Sequence, residues 1–337
     1  MNLGYLLLIS ALVTACVFPG LALADESQEV KTSRAQCDRG EASGCSDLGT
    51  MYDKGKGVTQ DFAQAAKFYS KVSPGSKRNL GAEIARGDIL VFLDDDSYPT
   101  VDLLNIAEGY FQDQAVAALG GPAVTPKDNT FWQRVSGAVF LSRFSGGYPE
   151  RYLPVGNARP VDDWPSVNLM VRRLVFLRIG GFDTTFWPGE DTKLCRDLVK
   201  LNNRILYIPN MIVWHHRRTN LIAHLKQIGA YGLHRGYFAK NYPETSCKVI
   251  YFIPSLFALF VIFIAIVPLI SRDGIYYIAV GLFIYSISLI KSVYDIAKVE
   301  SLTVALAAIL YIIPTHFLYG VLFAQGILTK TLVSRLR

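Results

Sequence analysis

The sequence predicts an α/β, Rossmann-like domain with a helical hairpin before it and membrane helices after it. Three observations carry this expectation. A short apolar run, Ile89 to Leu93, ends in three consecutive acids, Asp94, Asp95 and Asp96. The last third of the chain holds three apolar stretches close to the roughly 20 residues needed to cross a bilayer. Between Ala35 and Val72, apolar residues recur at helical spacing. A length of 337 residues allows two or more domains. A hydrophobic share of 51%, with a positive mean hydropathy, is high for a soluble chain. The net charge of +6 is modest, and its cations are dispersed or lie beside apolar segments. That distribution fits anionic lipid or nucleotide partners and points away from nucleic acid. The five cysteines, Cys16, Cys37, Cys45, Cys195 and Cys247, form no Cys-x-x-Cys zinc pattern.

The β-branched and aromatic content of Ile89 to Leu93, after Gly87-Asp88, reads as a buried strand of a parallel sheet. In open α/β sheets, ligands bind beyond the carboxyl ends of such strands, which is where the acids fall. Adjacent carboxylates repel each other and resist desolvation, and a divalent cation relieves both. Side-chain alternation along an extended segment would let Asp94 and Asp96 share one ion, with Asp95 turned elsewhere. Oxygen ligands favour magnesium or manganese, and a diphosphate could complete the coordination. The competing reading is an acidic turn on a solvated loop.

Further motifs follow a recognisable order. Ser76-Lys77-Arg78-Asn79-Leu80-Gly81 precedes the strand, and Gly180-Gly181-Phe182-Asp183 and Gly189-Glu190-Asp191 follow it. Together with the Asp94-Asp95-Asp96 run, they resemble the family 2 glycosyltransferases, which have the GT-A fold, over residues 74 to 245. The resemblance implies a metal-dependent, inverting transfer from a nucleotide diphosphosugar to a lipid or glycan acceptor. It implies that Asp94 and Asp96 hold magnesium or manganese, with His215 (or its neighbour His216) reaching the metal or diphosphate. Arg78, Asn79, Asp95 and Asn168 become donor-binding candidates, although a structural role suits Asn168 equally. Asp191 becomes the general base and Glu190 the second choice; capping of a helix from Thr192 to Leu201 is the alternative for both. Trp187 would shape the loop over the sugar, and Gln227 and Arg235 would line the acceptor entrance. Arg217 and Arg218 would face either the departing diphosphate or the membrane surface.

The sequence divides into residues 1–24, 25–72, 73–245 and 246–337. The first is a signal peptide or an uncleaved anchor, with Ala22-Leu23-Ala24 resembling a processing site. In the second, Cys37 and Cys45 would lie about 12 Å apart on one continuous helix, too far for a disulfide. Glycines between them allow the two to face each other from adjacent antiparallel helices. This segment resembles one unit of the cysteine-rich SEL-like repeats, relatives of the tetratricopeptide repeat. That likeness implies protein contacts and, in exported members, a disulfide between the paired cysteines. The third segment lacks the strand–helix–strand units with which the GT-A fold begins. A degenerate enzyme, a fusion of unrelated segments, or a nucleoside pocket supplied by a partner protein would each account for this. The fourth segment carries the apolar stretches 249–270, 275–290 and 302–328, with Pro314 a kink in the last. The expected location is a bacterial inner membrane with the transferase domain cytoplasmic, whereas an exported, disulfide-bonded N-terminal region belongs outside. The alternative function is an exported repeat protein whose transferase-like region is not catalytic.

Overall fold

The strand that ends in the acids, β1 (Ile89–Leu93), lies at the rim of a mixed sheet and not inside a parallel one. Its register with β6 (Asn168–Arg172) is antiparallel, Val91 facing Met170, and among the described residues it pairs with no other strand. Leu90 and Phe92 are buried on one face, whereas Val91 on the other is 40% exposed. The unbroken apolar run therefore belongs to a strand covered on one face and only partly on the other, and this corrects the parallel-sheet expectation. The computed structural model describes residues 27–39, 41–70, 72–271 and 273–332. The proposed export segment lies outside the described residues. The chain divides into two compact units, 1–71 and 72–337.

In the first unit, α1 (Gln28–Asp38), α2 (Ala42–Lys54) and α3 (Phe62–Ser70) pack in sequence. The Ser27 hydroxyl caps α1 by accepting from the Val30 amide at 3.3 Å. Val30, Leu48, Met51, Ala65 and Phe68 are buried, and Tyr52 stacks on Phe68 with centroids 5.5 Å apart. Cys37 ends α1 and Cys45 lies in the first turn of α2; a disulfide joins them with Cα atoms 4.5 Å apart. The break between the helices permits that approach.

The second unit begins with α4 (Pro74–Ile84), started by Ser73 at the N-cap and Pro74 inside the first turn. After β1 come β2 (Ser97–Pro99), α5 (Leu103–Phe111), β3 (Val116–Gly120), β4 (Ala123–Val124) and α6 (Phe131–Ala138). The aromatic stretch from Phe131 to Gly147 thus opens with a helix; Thr130 and Gln133 form its capping box. Next are β5 (Arg159–Val161), β6, α7 (Arg173–Arg178), α8 (Glu190–Lys200), β7 (Arg204–Tyr207), β8 (Val213–His215), α9 (Leu221–Asn241) and α10 (Pro243–Ser246). The larger sheet runs β1-β6-β3-β7-β5, and only its β3–β7 pair is parallel. The smaller runs β2-β8-β4 and carries β2 and β8 to the acids. Phe92, Phe176, Phe182, Leu194 and Tyr207 fill the core on one side of the larger sheet, and Leu103, Phe111, Met170 and Met211 the other.

Three helical segments are long and apolar enough to cross a membrane: Val249–Leu269, Gly274–Ala297 and Leu302–Leu328. They contain α11 (Val249–Ile266), α12 (Gly274–Ala297), α13 (Leu302–Ala307) and α14 (Ile309–Leu328). The middle one extends past its expected end at Ile290. Its added turns carry a Lys291–Asp295 ion pair, and Asp295 also accepts from the Ser142 hydroxyl at 3.0 Å. Pro314 stays inside α14.

Candidate functional site

The chain leaves β1 through a tight turn in which the Ser97 amide donates to the Asp94 carbonyl at 3.1 Å. This turn, and not strand alternation, brings Asp94 and Asp96 to the same side. With His215, at the end of β8, they offer three ligand atoms within 4.8 Å of one another. His215 Nε2 lies 2.9 Å from Asp96 Oδ1 but off the hydrogen-bond axis, which leaves it buried with no hydrogen-bond partner. Two convergent carboxylates and an unpartnered imidazole nitrogen fit a divalent cation. The other ring nitrogen adds a condition. Arg217 Nη1 donates to His215 Nδ1 at 2.9 Å, and a guanidinium can only donate. While that bond lasts, the neutral ring keeps its proton on Nε2, so coordination through Nε2 requires Arg217 to turn away. Burial pushes Asp96 up, but the His215 ring and Arg218 outweigh it and hold the carboxyl below its usual range. Arg217 is itself buried, with Thr125 Oγ1 at 3.0 Å and the Ala123 carbonyl as acceptors, and burial draws its pKa down.

Arg78, on α4, ties these acids to a second pair. Its Nη2 lies 2.6 Å from Asp94 Oδ1 and its Nη1 2.8 Å from Glu190 Oε1. Glu190 and Asp191 open α8 itself and do not precede it, because Gly189 at φ +113° supplies the N-cap. A side chain at that position would also meet the Phe238 ring at 2.6 Å. Burial, and then the charge on Asp191, push Glu190 up to about 7; Arg78 opposes them but is shared with Asp94. Asp191 is also raised, by burial and then Asp163, against the pull of Arg235. Its carboxylate accepts from the Thr192 amide at 2.7 Å and the Ser166 amide at 3.3 Å.

Behind this pair, Asp163 Oδ2 takes Arg151 and Arg235, each at 2.9 Å. Burial alone would raise Asp163; the two guanidiniums reverse this and hold it far below the usual carboxylate range. The charged groups among these, Asp163 apart, and His215 line one cavity of about 1780 Å3, which continues to Ile253 and Phe257 of α11 and Tyr285 of α12.

The family model described as glycosyl transferase family group 2 matches residues 89–324. The chain belongs to this family. It is also 28% identical over 182 residues to the pre-mycofactocin glycosyltransferases of Mycobacterium tuberculosis strains CDC 1551 / Oshkosh and ATCC 25618 / H37Rv. The aligned stretch is 52% of this chain and 37% of each relative, so the chain spans little more than a third of the length of these curated relatives.

Of the residues singled out in this family 2 sequence, Arg78, Asp94, Asp95, Asp96, Trp187, Glu190, Asp191, His215, Gln227 and Arg235 all line the cavity. Gln227 accepts from Arg218 Nε at 3.1 Å and donates to the Tyr231 hydroxyl at 2.8 Å. His216 also lines the cavity but bonds through Nδ1 to Asn129. Asn79 and Asn168 are not among the lining residues. Asn79 both donates to the Phe182 carbonyl and accepts from its amide, each at 2.8 Å. Asn168 donates to the Met211 carbonyl at 2.7 Å and the Pro122 carbonyl at 3.2 Å. Both amides are therefore engaged in holding backbone turns. Sequence reading singled out Arg235 but not its partners Arg151 and Asp163, which stand 84 and 72 residues earlier in the chain.

Proposed function

We propose that the protein is a membrane-bound transferase that moves a sugar from a nucleotide diphosphosugar to a hydroxyl-bearing acceptor with inversion. The observation that carries this reading is the convergence of Asp94, Asp96 and His215 with the Glu190–Asp191 pair on one cavity, bridged by Arg78. Magnesium or manganese held by Asp94 and Asp96 would neutralise the donor diphosphate. Arg78, freed from one carboxylate as the cation binds, turns a guanidinium to the phosphates. Asp191, made more basic by burial and Asp163, takes the proton from the acceptor hydroxyl. The hydroxyl oxygen bonds to the anomeric carbon as the bond to the diphosphate breaks, and the nucleoside diphosphate leaves. The two amides that hold Asp191 fix the direction of its free lone pairs. The relatives named for glycosyl transfer support the reaction class.

The outer edge of β1 is unpaired among the described residues, and a strand from a partner protein added there would wall the donor's nucleoside side. Residues 25–72 fit one SEL-like repeat acting as a protein-contact module, beside a transferase domain spanning 73–245. The competing idea of an exported repeat protein with an inert transferase region is less well supported, because the site's charged residues are intact. Titration calorimetry of the full chain with nucleoside diphosphates, with and without manganese, tests the proposal. Binding should require manganese and vanish in Asp94→Ala/Asp96→Ala. Folded protein that binds no nucleotide under either condition would overturn it.

A further inference from the structure

α14 rests along its length on the part of the unit that carries the acids. Tyr311 stacks on Trp132 of α6 with centroids 6.0 Å apart. Thr315 Oγ1 lies 2.9 Å from His224 Nε2 of α9, and His316 Nε2 donates to the Ser145 carbonyl at 3.0 Å. Farther along, a Cβ at Gly236 would stand 2.0 Å from the Phe323 carbonyl, and one at Gly326 would stand 2.1 Å from the Leu233 carbonyl. Backbone meets backbone there. Past the helix end, Lys240 Nζ donates to the Thr329 carbonyl at 2.6 Å. These contacts advance together, 224 with 315 and 240 with 329, so α9 and α14 run side by side in one direction for about 21 Å.

α9 carries Lys226, Arg235 and Lys240 along that run, and the first two line the cavity. A helix with charges spread along its length does not thread hydrocarbon, and α14 is held at the same depth. Its exposed positions are mostly apolar: Leu310, Ile313, Phe317, Val321, Ala324 and Leu328 follow one another at spacings of three or four, with Gln325 the one polar side chain exposed among them before the helix ends. Protein on one face and a mainly apolar stripe on the other, beside the charged helix α9, suits a helix lying in a bilayer interface.

α11 and α12 differ from it. They are bare almost all round. α11 meets the rest of the unit near its start, where Tyr251 lies against Tyr148 and Ser255 Oγ donates to the Gly320 carbonyl at 2.9 Å. α12 does so near its end, through Asp295 and Ser142, and at its middle, where the Tyr285 hydroxyl lies 3.1 Å from His316 Nδ1 of α14. They touch each other at Phe257 and Tyr285, 4.3 Å apart. Ser271 and Asp273, between these two helices, are not among the residues that line the cavity. We propose that only α11 and α12 cross the bilayer, as a hairpin, while α13–α14 lies in the membrane plane with the lipid surface as its partner. Lys330 then shares one side of the membrane with the acids.

Single cysteines placed in the full chain carrying Cys247→Ser test this: Glu108→Cys on α5, Ser271→Cys at the hairpin turn and Lys330→Cys after α14. A membrane-impermeant maleimide is applied to sealed vesicles of both orientations, with the parent chain as blank. Residues 108 and 330 should label in one orientation and 271 in the other. Labelling of 330 together with 271 would mean three crossings and overturn the proposal. Labelling of all three together would overturn the crossing hairpin. A protease site inserted after Leu332 in the otherwise unaltered chain gives an independent reading, expected to be cut from the side on which 108 labels. Neither readout requires sugar transfer, so failure here leaves the catalytic reading standing, and the reverse.

Discussion

Replacing Asn79 with alanine removes both hydrogen bonds that tie α4 to the Phe182 backbone, each 2.8 Å long. Phe182 is 2% exposed, so its amide and carbonyl find little water in exchange. Two orphaned backbone groups at the lower part of the usual cost sum to about 2–4 kcal/mol. For a unit of this size each kcal/mol lowers the melting temperature by roughly 2–4 °C, so a fall of about 5–15 °C is expected. Differential scanning fluorimetry of the detergent-purified chain would read it. At a temperature where the variant is folded, affinity for a manganese–nucleoside diphosphate complex should stay within about twofold, because the amide is engaged with backbone and does not line the cavity. A melting point within 1 °C of the parent, together with a large loss of nucleotide affinity, would refute this. Asn79 would then be a donor ligand and the Phe182 contact incidental.

Glu190 makes folding pH-dependent. Its carboxyl titrates near 7 in the folded chain, above the ordinary 4.5, so between those values the folded state holds a proton that the unfolded chain has released. Stability therefore falls as pH rises through that window, by up to about 3 kcal/mol. Glu190→Gln should flatten the melting profile there, and an unchanged slope would assign the effect elsewhere. Arg217→Gln replaces the donor facing His215 Nδ1 with an amide that can accept from it. Manganese affinity, read by electron paramagnetic resonance, should tighten about tenfold; unchanged or weaker binding would mean that Nε2 takes no part. Gly236→Ala puts a methyl into the Phe323 carbonyl and should cost about 1–3 kcal/mol by parting α9 from α14, whereas Gly81→Ala, inside α4 with nothing within 4 Å, should stabilise by up to about 1 kcal/mol.

The acids of the site were legible because each group is local. Asp94 to Asp96 and Glu190-Asp191 announce themselves within a few residues, and the glycines beside them mark turns. The backbone partners of Asn79 and Asn168 were not legible, because polarity near a motif does not reveal whether a side chain meets substrate or backbone. The rim position of β1 was hidden as well, since Ile89 to Leu93 has the composition of a fully covered strand. Arg151, Asp163 and Arg235 meet only in three dimensions. Apolar length identified three bilayer-length helices, but length is blind to what a helix leans on, and the charges on α9 bear on the depth of α14.

β1 also has a consequence for company. An unpaired rim strand invites addition of another strand, and the nearest supply is a second copy of the chain. In an antiparallel self-pairing centred on Val91, Asp88 of each molecule would fall opposite Asp94 of the other, and Gly87 opposite Asp95. Like charges set across a ladder disfavour pairing. The strand is thus fenced at both ends against its own kind, while a strand flanked by lysine or arginine would meet attraction at the same two places.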